Sequence, residues 1–370
     1  MEDAKTLKKT PLYDRHVLLG GKMVDFSGWS LPVYYSSILA EHQWTRSTCS
    51  FFDVSHLGEI EIRGPGAFEF LQKRLTCDMA KCLPYKIIYG ILCNEKGGAL
   101  DDILIYGGEA GDYHLIVNAA NIEKDHQVFR ADAPTGIQIA DHSDEMACVA
   151  VQGPRSEAIL EKLFGFKLKS MSYYSFSSEM FEGERVWVSR SGYTGEDGFE
   201  LFSLNGLAPK IWDRLVWEGK KLGAEPAGLG ARNTLRLEAG NALYGHELDE
   251  ETTPLEAGIR FAVSFTKGDF TGRSALEAQK TAGLKKILVG FKMTDRSIPR
   301  DGYAVAKDGR KVGHVTSGSF APSIGGGIGL AYVEPGCSAV GTRLAIEIHS
   351  RAAQAEVVAR PFVKLKHRKG

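Results

Sequence analysis

Apolar and polar positions alternate along Gly58–Arg63, 103–106 has a period-two character, and 113–118 is an apolar run that ends in a polar residue. A period of two lays one side of an extended chain against a core, so each stretch predicts a strand. Elsewhere the apolar residues recur at steps of three and four. This happens in Ala67–Arg74 after Pro65, in 157–163 after Pro154, and in 207–222. That spacing predicts helices with one buried stripe. From about Lys285 the texture changes to short apolar runs, 287–291, 311–316, 329–333 and Arg343–Ile348, divided by glycine-bearing turns. They predict a small all-β unit, barrel or sandwich, joined through 275–284 to a larger α+β body.

Composition adds limits to this picture. A chain of 370 residues exceeds one comfortable core, so two or three domains are expected. The division predicted is a body over 1–280 and a β unit over 281–370. Formal net charge is -1, which gives no global field to attract nucleic acid or an acidic membrane. The basic run Lys364-Leu365-Lys366-His367-Arg368-Lys369 reads as a solubilising end. Six cysteines form no CxxC pair and no cluster with histidine. Neither a zinc site nor a redox dithiol is expected, and a reducing compartment suits them. The start Met1-Glu2-Asp3 precedes no apolar or Arg-rich leader, and no apolar run reaches membrane length. A cytoplasmic protein is expected.

Four clusters carry candidate chemistry. In Asn94-Glu95-Lys96-Gly97-Gly98-Ala99-Leu100-Asp101-Asp102 a glycine turn feeds two adjacent acids. Neighbours on a strand face opposite ways, so one acid would face a cavity where it can bond or move a proton. The alternative is a turn of solvated acids. In Ser191 to Glu200, glycines at 192, 195 and 198 would let backbone approach a ligand. There Tyr193 offers a stacking face and Glu200 two acceptor oxygens, but the lysine of a phosphate loop is missing. A plain glycine-rich hairpin is the other reading. The stretch Gly228 to Gly240 predicts a helix with Arg232 in its first turn and Leu235, Leu237 and Ala239 inward. A cation at that end opposes the helix dipole, so Arg232 should answer a carboxylate: Glu238, another domain, or a ligand. In Phe52-Asp53-Val54-Ser55-His56-Leu57-Gly58, His56 reads as a hydrogen-bonded structural histidine at a strand entry. No GxSxG elbow or local Cys–His pair supports nucleophilic hydrolysis.

In order along the chain stand Thr10-Pro11-Leu12-Tyr13, Phe26-Ser27-Gly28-Trp29, Phe52 to His56, Cys93 to Asp102, Val117-Asn118-Ala119-Ala120-Asn121 and Gln152-Gly153-Pro154. They continue with Tyr193 to Glu200, Gly228 to Glu247, Thr253-Pro254-Leu255-Glu256-Ala257-Gly258 and Val315-Thr316-Ser317-Gly318. Over nearly the whole chain this series resembles the glycine cleavage T-protein (aminomethyltransferase) family. The resemblance implies an α+β, three-domain cloverleaf around a folate funnel, with a C-terminal antiparallel β-barrel and two interleaved domains in the body. It implies transfer of the aminomethyl carbon from the lipoyl arm of H-protein to tetrahydrofolate as co-substrate, releasing ammonia and giving 5,10-methylenetetrahydrofolate. No metal is implied, because the carbon keeps its oxidation level. By the same resemblance Asp102 is the active-site carboxylate and Glu200 pairs with the pterin edge. Arg232 sits at the folate site, and Tyr193, Tyr89, Asn118 and Leu57 line the pocket.

The sequence departs from the family pattern at two of these places. Leu57 stands where methionine is common, and Asn233 where aspartate is usual, which changes the charge expected beside Arg232. Two other functions use the same fold. One is a folate-dependent demethylase, often fused to a flavin domain, for which no GxGxxG unit is present. The other is a non-enzymatic folate-binding assembly factor, against which Asp102, Glu200 and Arg232 together argue.

Overall fold

Beside a two-stranded ribbon of Met23–Phe26 and Trp29–Pro32, three larger β-sheets divide the described residues, and each is built from strands whose apolar faces find different partners. The computed structural model describes residues 6–349 and 351–367. The start Met1-Glu2-Asp3 and the tail residues Arg368 and Lys369 lie outside the described residues. An antiparallel sheet has the order Ile87–Cys93, Ala99–Gly107, Tyr113–Val117, Gly58–Arg63, Gln138–Asp141. A second runs Phe176–Phe181, Glu184–Ser189, Gly198–Leu204, Met146–Gln152, Cys49–Asp53, Ala224–Pro226, its last strand parallel to its neighbour. The third is a closed antiparallel barrel of Ile287–Met293, Gly326–Val333, Arg310–Ala321, Ala304–Lys307, Arg343–Ile348 and Arg351–Val358.

The first sheet matches its alternation. Ile60, Ile62, Ile103, Ile105 and Leu115 all enter one core with Leu71 and Phe129 from two helices. The second sheet is different because both of its faces are covered. Phe51, Val149 and Val151 pack under the helix Ala208–Trp217 against Trp212. Their neighbours Phe52, Cys148 and Ala150 pack the other way, beside Ile87, Tyr106 and Leu235. Every residue of Cys49–Asp53 is buried, so no polar alternation marks it, as expected of a strand covered twice.

Of the expected helices, Ala67–Arg74 is observed as such and 157–163 falls within Ser156–Phe164. The pattern over 207–222 is interrupted. The α-helix ends at Trp217, and Gly219–Leu222 forms a 3₁₀ turn. Glycine in a helix interior costs about 1 kcal/mol relative to alanine, and Gly219 lies at that break. The junction stretch is itself the helix Arg273–Ala282.

The helix Leu229–Ala239 is wedged between the second sheet and the barrel. Leu235 faces the sheet core while Leu237 packs on Leu288, Leu330 and Tyr332 of the barrel. Its polar residues Thr234, Arg236 and Glu238 are therefore buried too, and the two charged ones are paired. Arg236 Nη1 lies 3.0 Å from Glu247 Oε2, and Nη2 donates to Ser317 Oγ at 2.7 Å. Glu238 accepts from Arg46 Nη2 at 3.0 Å. The N-terminal segment is tied down in the same way: Asp53 Oδ2 accepts from Thr10 Oγ1 at 2.6 Å and lies 2.8 Å from His16 Nε2. Burial alone would raise the Asp53 carboxyl, but the His16 contact, Ser55 and Thr10 together hold it below the usual range.

Candidate active site

A cavity of about 560 Å³ opens where the sheets, the helix Leu229–Ala239 and the chain beyond the barrel converge. Tyr89, Asp102, Asn118, Leu57, Tyr193, Glu200 and Arg232 all line it. The volume falls in the range of small-molecule sites.

One wall is set by an irregularity in the first sheet. Leu92 pairs with Asp101 but Cys93 pairs with Ala99, so Leu100 is an extra residue just before the two acids. A bulge of this kind re-aims the side chains that follow. The turn feeding it is tight: a Cβ on Gly98 would sit 1.8 Å from the Glu250 carbonyl oxygen, so only glycine fits. Asp102 then faces the cavity and Asp101 is fully buried behind it. Asn118, at the end of Tyr113–Val117, holds both acids. Its Nδ2 donates at 2.8 Å to Asp101 Oδ1 and at 2.8 Å to Asp102 Oδ1. Tyr89 donates its hydroxyl to Asp102 Oδ2 at 3.0 Å. Burial raises the Asp102 carboxyl and the Asp101 charge raises it further. The bonds from Tyr89 and Asn118 offset part of this and leave it at about 7. A carboxyl poised there can take or give a proton near neutrality.

Another part of the wall carries Glu200, Arg232 and Tyr193. Glu200 lies on Gly198–Leu204, opposite Ser189 of the neighbouring strand. It accepts a bond from the Ser191 hydroxyl. Burial raises its carboxyl, while Ser191 and the Arg232 charge act to lower it. The glycine-rich stretch is thus the connection of a hairpin whose end forms cavity wall. Two of its glycines make room for a neighbouring side chain, and one of them, Gly192, also lines the cavity. A Cβ on Gly192 or Gly198 would meet the Gln152 side chain at 2.0 Å or 2.5 Å. Gln152 in turn ties the loop by Nε2 to the Ser191 carbonyl at 3.0 Å.

Arg232 does not answer a protein carboxylate by contact. Among the described residues its guanidinium lies over the Tyr193 ring, 4.8 Å from the centroid, with Glu200 attracting it at longer range. Glu238, one suggested partner, is engaged by Arg46 and by His42 at 3.2 Å. Asn233 does not stand beside Arg232 in any contact either. Its Oδ1 accepts from Arg236 Nε at 2.9 Å, so the missing aspartate charge concerns the Arg236–Glu247 pair.

His56 corrects another expectation. Among the described residues its buried Nδ1 has no hydrogen-bond partner, and its ring packs edge-on to Phe26 with centroids 5.4 Å apart. Burial first, and Arg232 second, push it down to about 4. It is a neutral wall of the cavity at physiological pH. Sequence reasoning also passed over Tyr173 and Tyr174, whose stacked rings line the cavity, and Phe261, which stacks on Tyr89 at 5.8 Å. The adjacent tyrosines before an apolar run were the available signal. Residues 241–244, within the stretch Gly228 to Glu247 that carries the resemblance, line it as well, and so does Arg360, which nothing local in the sequence marks.

Comparison with known proteins fits this geometry. Residues 12–267 match the GCVT N-terminal domain, and residues 286–364 match the glycine cleavage T-protein C-terminal barrel domain. A solved glycine cleavage system aminomethyltransferase T from Bartonella henselae superposes with a TM-score of 0.93 at 32% identity, covering 98% of this chain and 100% of that one. The chain belongs to the glycine cleavage T-protein family. It is 46% identical to an aminomethyltransferase of Moorella thermoacetica over 97% of this chain and 98% of the relative. It is 43% identical to that of Bacillus subtilis over 97% and 99%. The expected α+β architecture with a closed antiparallel C-terminal barrel is the one observed. Among the described residues no helix is long and apolar enough to cross a membrane.

Proposed function

We propose that this protein transfers the methylene carbon of the aminomethyl group on lipoylated H-protein to tetrahydrofolate. The products are 5,10-methylenetetrahydrofolate, ammonia and dihydrolipoyl H-protein, and the setting is cytoplasmic. The observation that carries the reading is Asp102: a carboxyl near neutrality, oriented by Tyr89 and Asn118, in the same cavity as Glu200 and Arg232.

In the transfer, the bond from carbon to the lipoyl sulfur and the bond from carbon to the amino nitrogen break. Bonds from that carbon to N5 and N10 of the folate form. Two protons leave those nitrogens, one for the sulfur and one for the departing ammonia. Asp102 is placed to accept the proton from N10 and pass it on. Glu200 receives the two-donor edge of the pterin, and the Tyr193 and Tyr89 rings with Leu57 bound its faces. Arg232, fixed over Tyr193, supplies positive charge near the reacting end. The ionised form of Asp102 is the active one and its carboxyl is raised. The kcat/KM should therefore be full above that value and fall as pH drops through about 7. A profile flat from pH 6 to 8 would separate Asp102 from the rate.

The reaction is tested by incubating the protein with aminomethyl-loaded H-protein and tetrahydrofolate, and measuring ammonia and methylenetetrahydrofolate. Formation of neither overturns the proposal. Glu200→Gln should weaken tetrahydrofolate binding by about 1–3 kcal/mol, since a charge-assisted pair becomes a mismatched amide. Calorimetric titration reads this directly, and an unchanged affinity would place the pterin elsewhere.

A further inference from the structure

Asp125 is a fully buried acid outside the cavity, in the helix Ile122–Ala131 behind Asp101. Neither of its carboxyl oxygens receives a hydrogen bond from any donor among the described residues. What lies within hydrogen-bonding reach is the Asp101 carboxyl. Asp101 is already served by three N–H groups. Its Oδ1 accepts from Asn118 Nδ2 at 2.8 Å and Asn121 Nδ2 at 2.7 Å, and its Oδ2 from Asn118 N at 2.9 Å. That is the bonding of a carboxylate. If Asp125 were also ionised, two groups that only accept would face each other in a buried site with no hydrogen between them. A single proton removes the repulsion and gives the orphaned carboxyl a partner. The donors already on Asp101 place that proton on Asp125.

We propose that Asp125 is a positioning residue for Asp102: it stays protonated at neutral pH, donates an O–H···O bond to Asp101, and so fixes Asp101 as the charge beside Asp102. The connection runs from Asp125 to Asp101, through the shared Asn118 amide, to Asp102. Burial and the charges of Asp101 and Asp102 all push the Asp125 carboxyl up. Lys124, on the same helix, opposes them. Its Nζ is engaged by the Leu100 carbonyl at 2.9 Å, the Tyr244 hydroxyl at 3.0 Å and Glu250 at 3.0 Å. The first-turn position favours negative charge, yet no backbone N–H reaches the Asp125 oxygens.

The consequence for Asp102 has a definite sign. Without the donor at Asp125, the state with Asp101 and Asp102 both ionised loses a stabilising bond. The pair then takes up a proton at higher pH. Were Asp125 charged instead, removing it would relieve repulsion and move that uptake to lower pH. This rests on the transferase reading only for its kinetic test.

The spectroscopic test needs no substrate. At pH 8, where exposed aspartates are ionised, an infrared difference spectrum of the full chain minus Asp125→Asn should show the C=O stretch of an un-ionised carboxylic acid. A carboxylate band in its place overturns the proposal, whatever the protein's reaction proves to be. Kinetically, Asp125→Ala should move the acid limb of kcat/KM up by roughly half a unit to one unit. Asp125→Asn, which keeps an N–H donor, should restore most of the wild-type profile. Both variants shifting to lower pH, or neither shifting, overturns the proposal. If Asp125→Ala fails to fold, the near-isosteric Asp125→Asn and its infrared spectrum still decide.

Discussion

Asp102→Asn is expected to lower turnover of aminomethyl H-protein by at least about 10²-fold, the usual loss when a positioned acid–base group is removed. Tetrahydrofolate affinity should stay close to wild type, because the amide is nearly isosteric and Glu200, on a different strand of the cavity lining, is untouched. The neighbouring variant is the control. Asp101 is buried and accepts from Asn118 and Asn121, away from the cavity. Asp101→Asn should therefore act first on stability, by about 1–3 kcal/mol, as buried donors are left facing an amide. Single-turnover rates with titrated folate affinity separate the two. Equal losses of rate at both positions, or a folate affinity that collapses in Asp102→Asn, would falsify the role given to Asp102.

The second large effect lies away from the cavity. Arg236→Met should destabilise the protein by about 3–5 kcal/mol, the cost of breaking a buried ion pair by removing one partner. Methionine keeps much of the volume but offers no donor to Glu247, the Asn241 carbonyl, Ser317 or Asn233. Glu247 is left enclosed, and its Oε1 lacks a partner even in the wild type. Urea unfolding measures the loss, and a change under about 1 kcal/mol would mean that Glu247 finds another donor. Residues 241–244 line the cavity, so folate affinity should fall alongside stability.

The fold was legible wherever one face of an element meets solvent or an edge. Gly58–Arg63 and Ala67–Arg74 carry their period openly, and the barrel was legible as short apolar runs parted by glycine-bearing turns, with Val289, Phe291, Val315 and Ile346 inside it. Cys49–Asp53 and Met146–Gln152 were not, because two cores claim alternate residues of each and leave no polar phase to read. The residues that the family resemblance singles out all line one cavity. Their local partners were not legible. Arg232 rests on a ring and Arg236 holds the carboxylate, because four residues along a helix separate the cavity wall from the barrel contact. Charge counting along the sequence cannot distinguish two arginines of one helix that point into different surroundings. His56 misled for a similar reason: a polar side chain was assumed to have found a bond, and burial beside Arg232 instead keeps it neutral.

The extra residue at Leu100 makes chain length, and not only side-chain identity, a determinant of how Asp102 is aimed into the cavity. Removing the extra residue does not move the register beyond it: the pairs Cys93–Ala99 and Leu92–Asp101 would follow one another as a regular ladder, and what would be lost is the local bend before the two acids. Surface turns generally accept insertions and deletions with little penalty. This one sets the bend before Asp101 and Asp102, so a gap or insertion here would change how Asp102 is aimed into the cavity.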